Sequence, residues 1–137
     1  MRRFARRRGA TALEFGLLLP VFCAILFGVL EYAWVFYQQS NVVAATRDAL
    51  RLAVTLPKTN VPEPVDAAFD EVRTKLTGFG YTPDQLDAAT IEPVYNGSTP
   101  DETLTVTVSM PYQPLIGLVA TPTSINCTMT MRLELQD

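Results

Sequence analysis

With no histidine in the chain, no side chain carries an unperturbed pKa suited to shuttling protons near neutrality. The two cysteines, Cys23 and Cys127, have no imidazole to activate them as nucleophiles. The closely spaced acids are Asp70/Glu71, Asp84/Asp87 and Asp101/Glu102. They fall on the surfaces of expected helices or in loops, and with Asp66 added they still match no cation-binding loop. Gly28, Gly78, Gly80, Gly97 and Gly117 form no phosphate-binding pattern. The expectation is no catalysis, no metal and no cofactor. What remains is the chemistry of charges in an apolar setting. Glu14 opens a long run with no charged residue from Phe15 to Leu30, and Arg2, Arg3, Arg6, Arg7 and Arg8 stand ahead of it.

A membrane span is the element that must position these charges. Extending the run to Tyr37 admits one acid, Glu31, and gives a stretch of about 23 residues. At about 1.5 Å per residue this is about 35 Å, enough to cross a hydrocarbon core of about 30 Å with some tilt. Tyr32, Trp34 and Tyr37 gather at its far end, where amphipathic rings favour the membrane–water interface. All five Arg precede the span and the next basic residue is Arg47, so the N-terminus is expected in the cytoplasm and the rest exported. Without those five Arg, the 6 remaining basic residues face 14 acidic ones, a formal charge of −8 against −3 for the whole chain. That acidity argues against nucleic acid as a partner. A cleaved secretory signal fits poorly, because the apolar core is too long and ends in Glu-Tyr-Ala-Trp with no small-x-small site. A plain signal anchor leaves Glu14 without a purpose, except as an interfacial acid favouring the positive helix N-terminus by about 0.3–1 kcal/mol.

Beyond the span, Val42, Ala45, Ala49, Leu52, Ala53 and Leu56 recur at helical spacing, so one helix is expected from about Thr11 to Leu56, bent or loosened at Pro20. Residues 57–64 read as a Pro-rich linker. Val65, Phe69, Val72 and Leu76 mark the apolar face of a second helix, ended by Gly78 and Gly80. Thr82-Pro83-Asp84 reads as an N-cap with Pro at the first helical position. From Thr90 the period changes to two. Thr90–Tyr95 is an expected edge strand because of Pro93, and Asn96 to Asp101 form a turn cluster. Leu104, Val106, Val108 and Met110 share one face of a second strand. Ile125, Cys127, Met129, Met131, Leu133 and Leu135 share one face of a third. Between them, Pro111–Val119 is an apolar connection with an expected helical turn near Leu115–Val119, a candidate partner contact that could equally fold under the sheet. Three antiparallel strands with one apolar face need helices to cover it. The expected class is α+β: a leader over 1–9, a membrane segment over 10–37, a helical continuation over 38–56 and an exported domain over 57–137. Cys23 and Cys127 are expected on opposite sides of this topology and unpaired within one chain, Cys127 as a buried strand thiol.

The order Gly9, four residues, Glu14 and then Phe15 resembles the processing site of the Tad branch of type IV pilins. Leu17-Leu18-Leu19-Pro20, Glu31-Tyr32 and Ala44-Ala45-Thr46-Arg47 through Arg51 are similar to the TadE-like minor pseudopilins of the Tad (Flp) pilus system. The resemblance covers the first fifty-odd residues and does not separate TadE-like from TadF-like subunits. It implies that a membrane aspartyl prepilin peptidase cuts after Gly9, leaving Ala10 with a free amine. It also implies that Glu14 neutralises that amine in its own or a neighbouring subunit, specifying axial register as helices bundle. The implied partners are prepilin peptidase, other Tad pilins and minor pseudopilins (TadF-like and Flp-like), and the Tad inner-membrane platform. The implied location is the inner membrane, with the C-terminal domain extracytoplasmic. The alternative is an uncleaved single-pass protein whose exported domain binds or senses a ligand.

Overall fold

A computed structural model describes residues 5–56, 62–97 and 102–133, with side chains placed over 12–56, 64–97 and 102–133. The elements run α1 (Ala5–Val54), α2 (Pro62–Gly78), α3 (Pro83–Asp87), β1 (Thr90–Asn96), β2 (Thr103–Pro111) and β3 (Ser124–Arg132). The class is α+β, as expected. Arg2 and Arg3, most of the linker, most of the Asn96–Asp101 turn cluster and Leu135 lie outside the described residues. Two compact units emerge: Met1–Val35 with Pro114–Thr121, and Phe36–Gln113 with Pro122–Asp137.

In the first unit α1 begins at Ala5, six residues earlier than expected, and is continuous through Pro20. Arg and Ala are strong helix formers, so of residues 5–10 only Gly9 opposes the helix, at about 1 kcal/mol. The apolar positions of this half, from Leu13 to Leu30, are largely exposed. α1 contains one stretch long and apolar enough to cross a membrane.

The second unit is built on a three-stranded antiparallel sheet in the order β1-β2-β3. Pro93 pairs with Val106 on β1, which is an edge strand, the position at which a residue without an N–H is tolerated. On β2, Leu104, Val106, Val108 and Met110 are all buried, and Ile125 and Cys127 of β3, with Leu133 just beyond its end, join them. The opposite face is polar and carries a ladder of side-chain hydrogen bonds. Thr105 and Thr130 hydroxyls lie 2.9 Å apart, those of Thr107 and Thr128 3.3 Å, and Ser109 donates to Asn126 at 2.7 Å. Such cross-strand pairs reinforce the register of β2 against β3.

Residues 36–54 of α1 bury Val42, Ala45, Ala49, Leu50 and Ala53. Leu50 replaces the expected Leu52, which is exposed. The buried stripe centres on Val42 and Ala53, with Leu50 on one flank and Leu52 on the other, about 100° round the helix from Ala53. Thr46 is itself buried and satisfies its hydroxyl by donating to the Val42 carbonyl at 2.8 Å. The helix closes with tight i→i−3 bonds from Thr55 and Leu56.

α2 starts at Pro62, so Pro62 and Pro64 belong to its first turn rather than to a linker. That turn lacks intrahelical partners for its N–H groups, and a missing donor costs nothing there. Its inward stripe is Pro64, Ala68, Val72 and Leu76, one residue earlier at its start than the expected Val65 and Phe69. The small side chain at Ala68 allows close approach. Phe69 sits half-buried on the flank with the Arg73 guanidinium 5.8 Å from its ring centroid. Gly80, at φ +92°, ends α2. Gly80 donates to the Thr77 carbonyl and Tyr81 to that of Leu76, the paired bonds of a Schellman motif.

Thr82 caps α3 as expected: its hydroxyl accepts from Gln85 N–H, the Gln85 side chain accepts from Thr82 N–H, and Pro83 opens the first turn. Lys75 Nζ lies 3.2 Å from Asp48 on α1 and 3.6 Å from Glu71, while Arg73 reaches Asp87 at 2.8 Å. The Asp48 hydrogen bond is the main reason the Lys75 ammonium is held above its ordinary pKa. These pairs are solvent-exposed and add alignment more than stability.

Candidate functional site

The residues expected to act lie on α1 at two well-separated levels. Gly9 and Ala10 are in its first turns, and Glu14 and Phe15 follow on an exposed stretch, Phe15 with 66% of its surface accessible. Ala10 and Glu14 are four residues apart, so their positions stack on one face of the helix. Tyr32, Trp34 and Tyr37 come about 27–35 Å further along the axis, at about 1.5 Å per residue. Tyr32 and Tyr37 are exposed and Trp34 half-buried.

The site that sequence reasoning missed is Glu31. Its carboxylate is completely buried, at 0% exposure. Oε1 accepts from Leu115 N–H at 2.9 Å, and Oε2 accepts from Ile116 N–H at 2.8 Å and Gly117 N–H at 3.1 Å. Three successive main-chain donors converge on one anion, a backbone nest of the kind that binds phosphates and carboxylates. Gly117 has φ +75°, a conformation that a Cβ would strain. The expected helical turn at Leu115–Val119 is therefore absent: the segment is a bend, because its N–H groups turn outward to the carboxylate.

The neighbouring turns of α1 complete the seat. A Cβ on Gly28 would lie 3.6 Å from Val119 Cγ2, an ordinary van der Waals distance, so Val119 packs beside the helix one turn before Glu31. Tyr32 Oη donates to the Ala120 carbonyl at 3.4 Å. The sequence signal was an acid inside an apolar stretch, which demands partners. Those partners are backbone groups 84 to 86 residues away, and no side-chain motif marks them.

In the second unit Tyr81 is the other group under stress. Burial pushes its phenol above the ordinary value; the neighbouring Asn41 amide offsets this in part, and Tyr37 adds to it. Neither Tyr81 Oη nor Asn41 Nδ2 reaches hydrogen-bonding geometry with a described partner, so the Asn41 effect is one of proximity rather than a made bond. A raised folded-state value means that the stability contributed is present below the ordinary tyrosine pKa of about 10 and is lost as pH rises through the folded value. Tyr81→Phe removes an unsatisfied buried hydroxyl. It is expected to leave thermal stability at pH 7 within about 1 kcal/mol of the parent, or slightly higher. Parallel melts above pH 10 are expected to show the variant losing less than the parent; equal alkaline losses would refute the assignment.

Cys23 and Cys127 are unpaired, Cys127 buried in the sheet. Among the described residues no cluster of His, Cys, Asp and Glu could hold a metal ion. No match to the chain was found among curated proteins or among solved structures. Residues 9–51, which span the membrane-length half of α1, Glu31 itself and most of the buried stripe beyond it, match the family model described as TadE-like protein, which suggests a Tad pilus-related protein.

Proposed function

We propose that the chain is a structural subunit, a TadE-like minor pseudopilin of the Tad (Flp-type) pilus assembly system. The observation that carries this is the family match over residues 9–51, which begins at the residue whose peptide bond to Ala10 is the proposed cleavage point. The long apolar half of α1 is compatible with a membrane anchor, and the N-terminal Arg cluster orients it with its start in the cytoplasm. Prepilin peptidase cuts after Gly9, and Ala10 becomes the new terminus. Gly9 lies within α1, so the peptidase must unwind a turn to reach the bond. Gly weakens a helix by about 0.5–1 kcal/mol relative to Ala and lets the unwound backbone approach closely.

After processing, the first helix engages other Tad pilins and the inner-membrane platform, with Glu14 and Phe15 at its head and Tyr32, Trp34 and Tyr37 at the far interface. The second unit, extracytoplasmic, caps, primes or adapts the fibre. The role is one of assembly rather than catalysis.

The test is the N-terminal residue of the chain extracted from membranes, with and without the host's prepilin peptidase. A chain beginning at Ala10 with the enzyme and retaining Arg2–Gly9 without it is the expected pair of results. Retention of the leader in both samples would leave a signal-anchored surface domain and end the pseudopilin reading.

A further inference from the structure

We infer that the Pro114–Thr121 segment is a second membrane contact, an interfacial loop that inserts Leu115, Ile116 and Leu118 into the leaflet at the C-terminal end of the span. This rests on α1 crossing the bilayer as proposed above, and it goes beyond a single-helix anchor.

Depth comes first. Counting from Thr11, just after the Arg cluster, about 20 residues cover a hydrocarbon core of about 30 Å and place its far boundary near Leu30. Gly28, Glu31 and Tyr32, which hold the loop, therefore stand at that boundary. The loop lies at the same level because its contacts are with those residues. Its outward side chains are apolar: Leu115, Ile116 and Leu118 are 55%, 40% and 66% exposed. No charged residue occurs from Pro111 to Ser124.

Irregular backbone is normally excluded from lipid because its N–H groups have nowhere to bond. Here the N–H groups of residues 115, 116 and 117 are already committed to Glu31. The Ala120 carbonyl is taken by Tyr32. The pairing solves two problems together. A carboxylate at the membrane boundary needs donors, and a loop entering lipid needs its donors hidden. What the loop then presents, through Leu115, Ile116 and Leu118, is mainly hydrocarbon side chain, and beside a membrane-spanning helix the surface that fits hydrocarbon is the bilayer itself.

Full-length chains with Cys23→Ala and Cys127→Ala, each carrying one new cysteine bearing an environment-sensitive fluorophore, are reconstituted in phosphatidylethanolamine–phosphatidylglycerol vesicles. The labelled positions are Leu118→Cys in the loop, Leu26→Cys in the span and Asp70→Cys on the exposed face of α2. The label at 118 is expected to emit to the blue of that at 70. It should be quenched several-fold more by spin-labelled lipid than by aqueous iodide, as at 26. Adding Glu31→Gln should move the 118 label towards water while leaving 26 unchanged.

A label at 118 that behaves like 70, with 26 lipid-quenched, overturns the inference and leaves the span standing. Labels at 26 and 118 both open to iodide would overturn the span and the loop contact together. A label at 118 shielded from both quenchers would mean that protein covers the loop and would also overturn it. Because Cys127 is buried, a second measurement keeps the native cysteines. A photoactivatable residue at 118 in the otherwise unaltered chain is expected to give lipid adducts, and adducts with protein alone refute the inference.

Discussion

Replacing Glu31 with Ala is expected to free the Pro114–Thr121 segment and to speed amide exchange at Leu115, Ile116 and Gly117 by at least about a hundred-fold. The size follows from the bonds removed. Each hydrogen bond to a charged group is worth about 1.5–3 kcal/mol, and three sharing one carboxylate are not additive. A local loss of about 3 kcal/mol, at 1.36 kcal/mol per factor of ten, already exceeds a hundred-fold in opening.

The helix itself does not suffer, since Ala is a better helix former than Glu and the span becomes more apolar. Glu31→Gln is expected to fall between Ala and the parent. Its amide keeps one acceptor oxygen but turns an NH2 group towards donors that need an acceptor. Exchange read residue by residue in lipid vesicles or nanodiscs separates these cases, with Val106 and Val108 on β2 as unaffected references. Unchanged exchange at 115–117 in Glu31→Ala would show that other forces hold the loop.

The contrast between Glu31 and β2 shows where sequence is readable. Alternation over Leu104, Val106, Val108 and Met110 is a signal of period two carried by side chains alone, and every one of those positions is buried. Pro93 announced an edge strand because it lacks a donor, and Thr82, Pro83 and Gln85 announced a helix start because capping is local chemistry.

The phase of α2 was less legible. Val65 and Phe69 are larger and more apolar than Pro64 and Ala68, yet the helix buries the smaller pair more deeply. Close approach is decided by the neighbour across the interface, and that neighbour is not in the window being read. Leu50 against Leu52 on α1 is the same effect.

Glu31 lies further still from local pattern. Its partners are N–H groups, which every residue but proline possesses, so nothing in Leu115-Ile116-Gly117 advertises them. Only two weak hints were present: an acid where an acid is costly, and Gly117 where the backbone must turn through positive φ. The leader suffers from a related limit. Helix propensity favours Arg and Ala strongly enough that α1 reaches back through Gly9 to Ala5, so the proposed cleavage point is continuous with the helix and not a visible break in it.

Glu14→Gln is expected to reduce incorporation into pili by a hundred-fold or more while leaving membrane insertion unchanged. Processing after Gly9 would leave the Ala10 ammonium, with a reference pKa of about 7.7–8.0 and so largely charged at neutral pH, four residues before Glu14 on the same helical face. Glu14 is exposed on the described chain, so in a bundle of such helices it is available to a neighbour's terminus as well as its own. At about 4 Å and an effective dielectric of about 20, such a pair is attracted by about 4 kcal/mol. Leaving one member buried without the other costs about 3–5 kcal/mol.

Gln preserves size and hydrogen-bonding capacity but removes the charge, so a loss of assembly in Gln isolates electrostatics from packing. Insertion depends on the apolar run and the Arg cluster, neither of which changes. Carbonate-resistant membrane association should therefore match the parent, and N-terminal sequencing should still begin at Ala10. The informative measurement is the ratio of subunit in sheared pili to subunit in the membrane. A parental ratio for Gln with a reduced one for the larger Glu14→Trp would assign the position to packing and remove the charge pair from the assembly step.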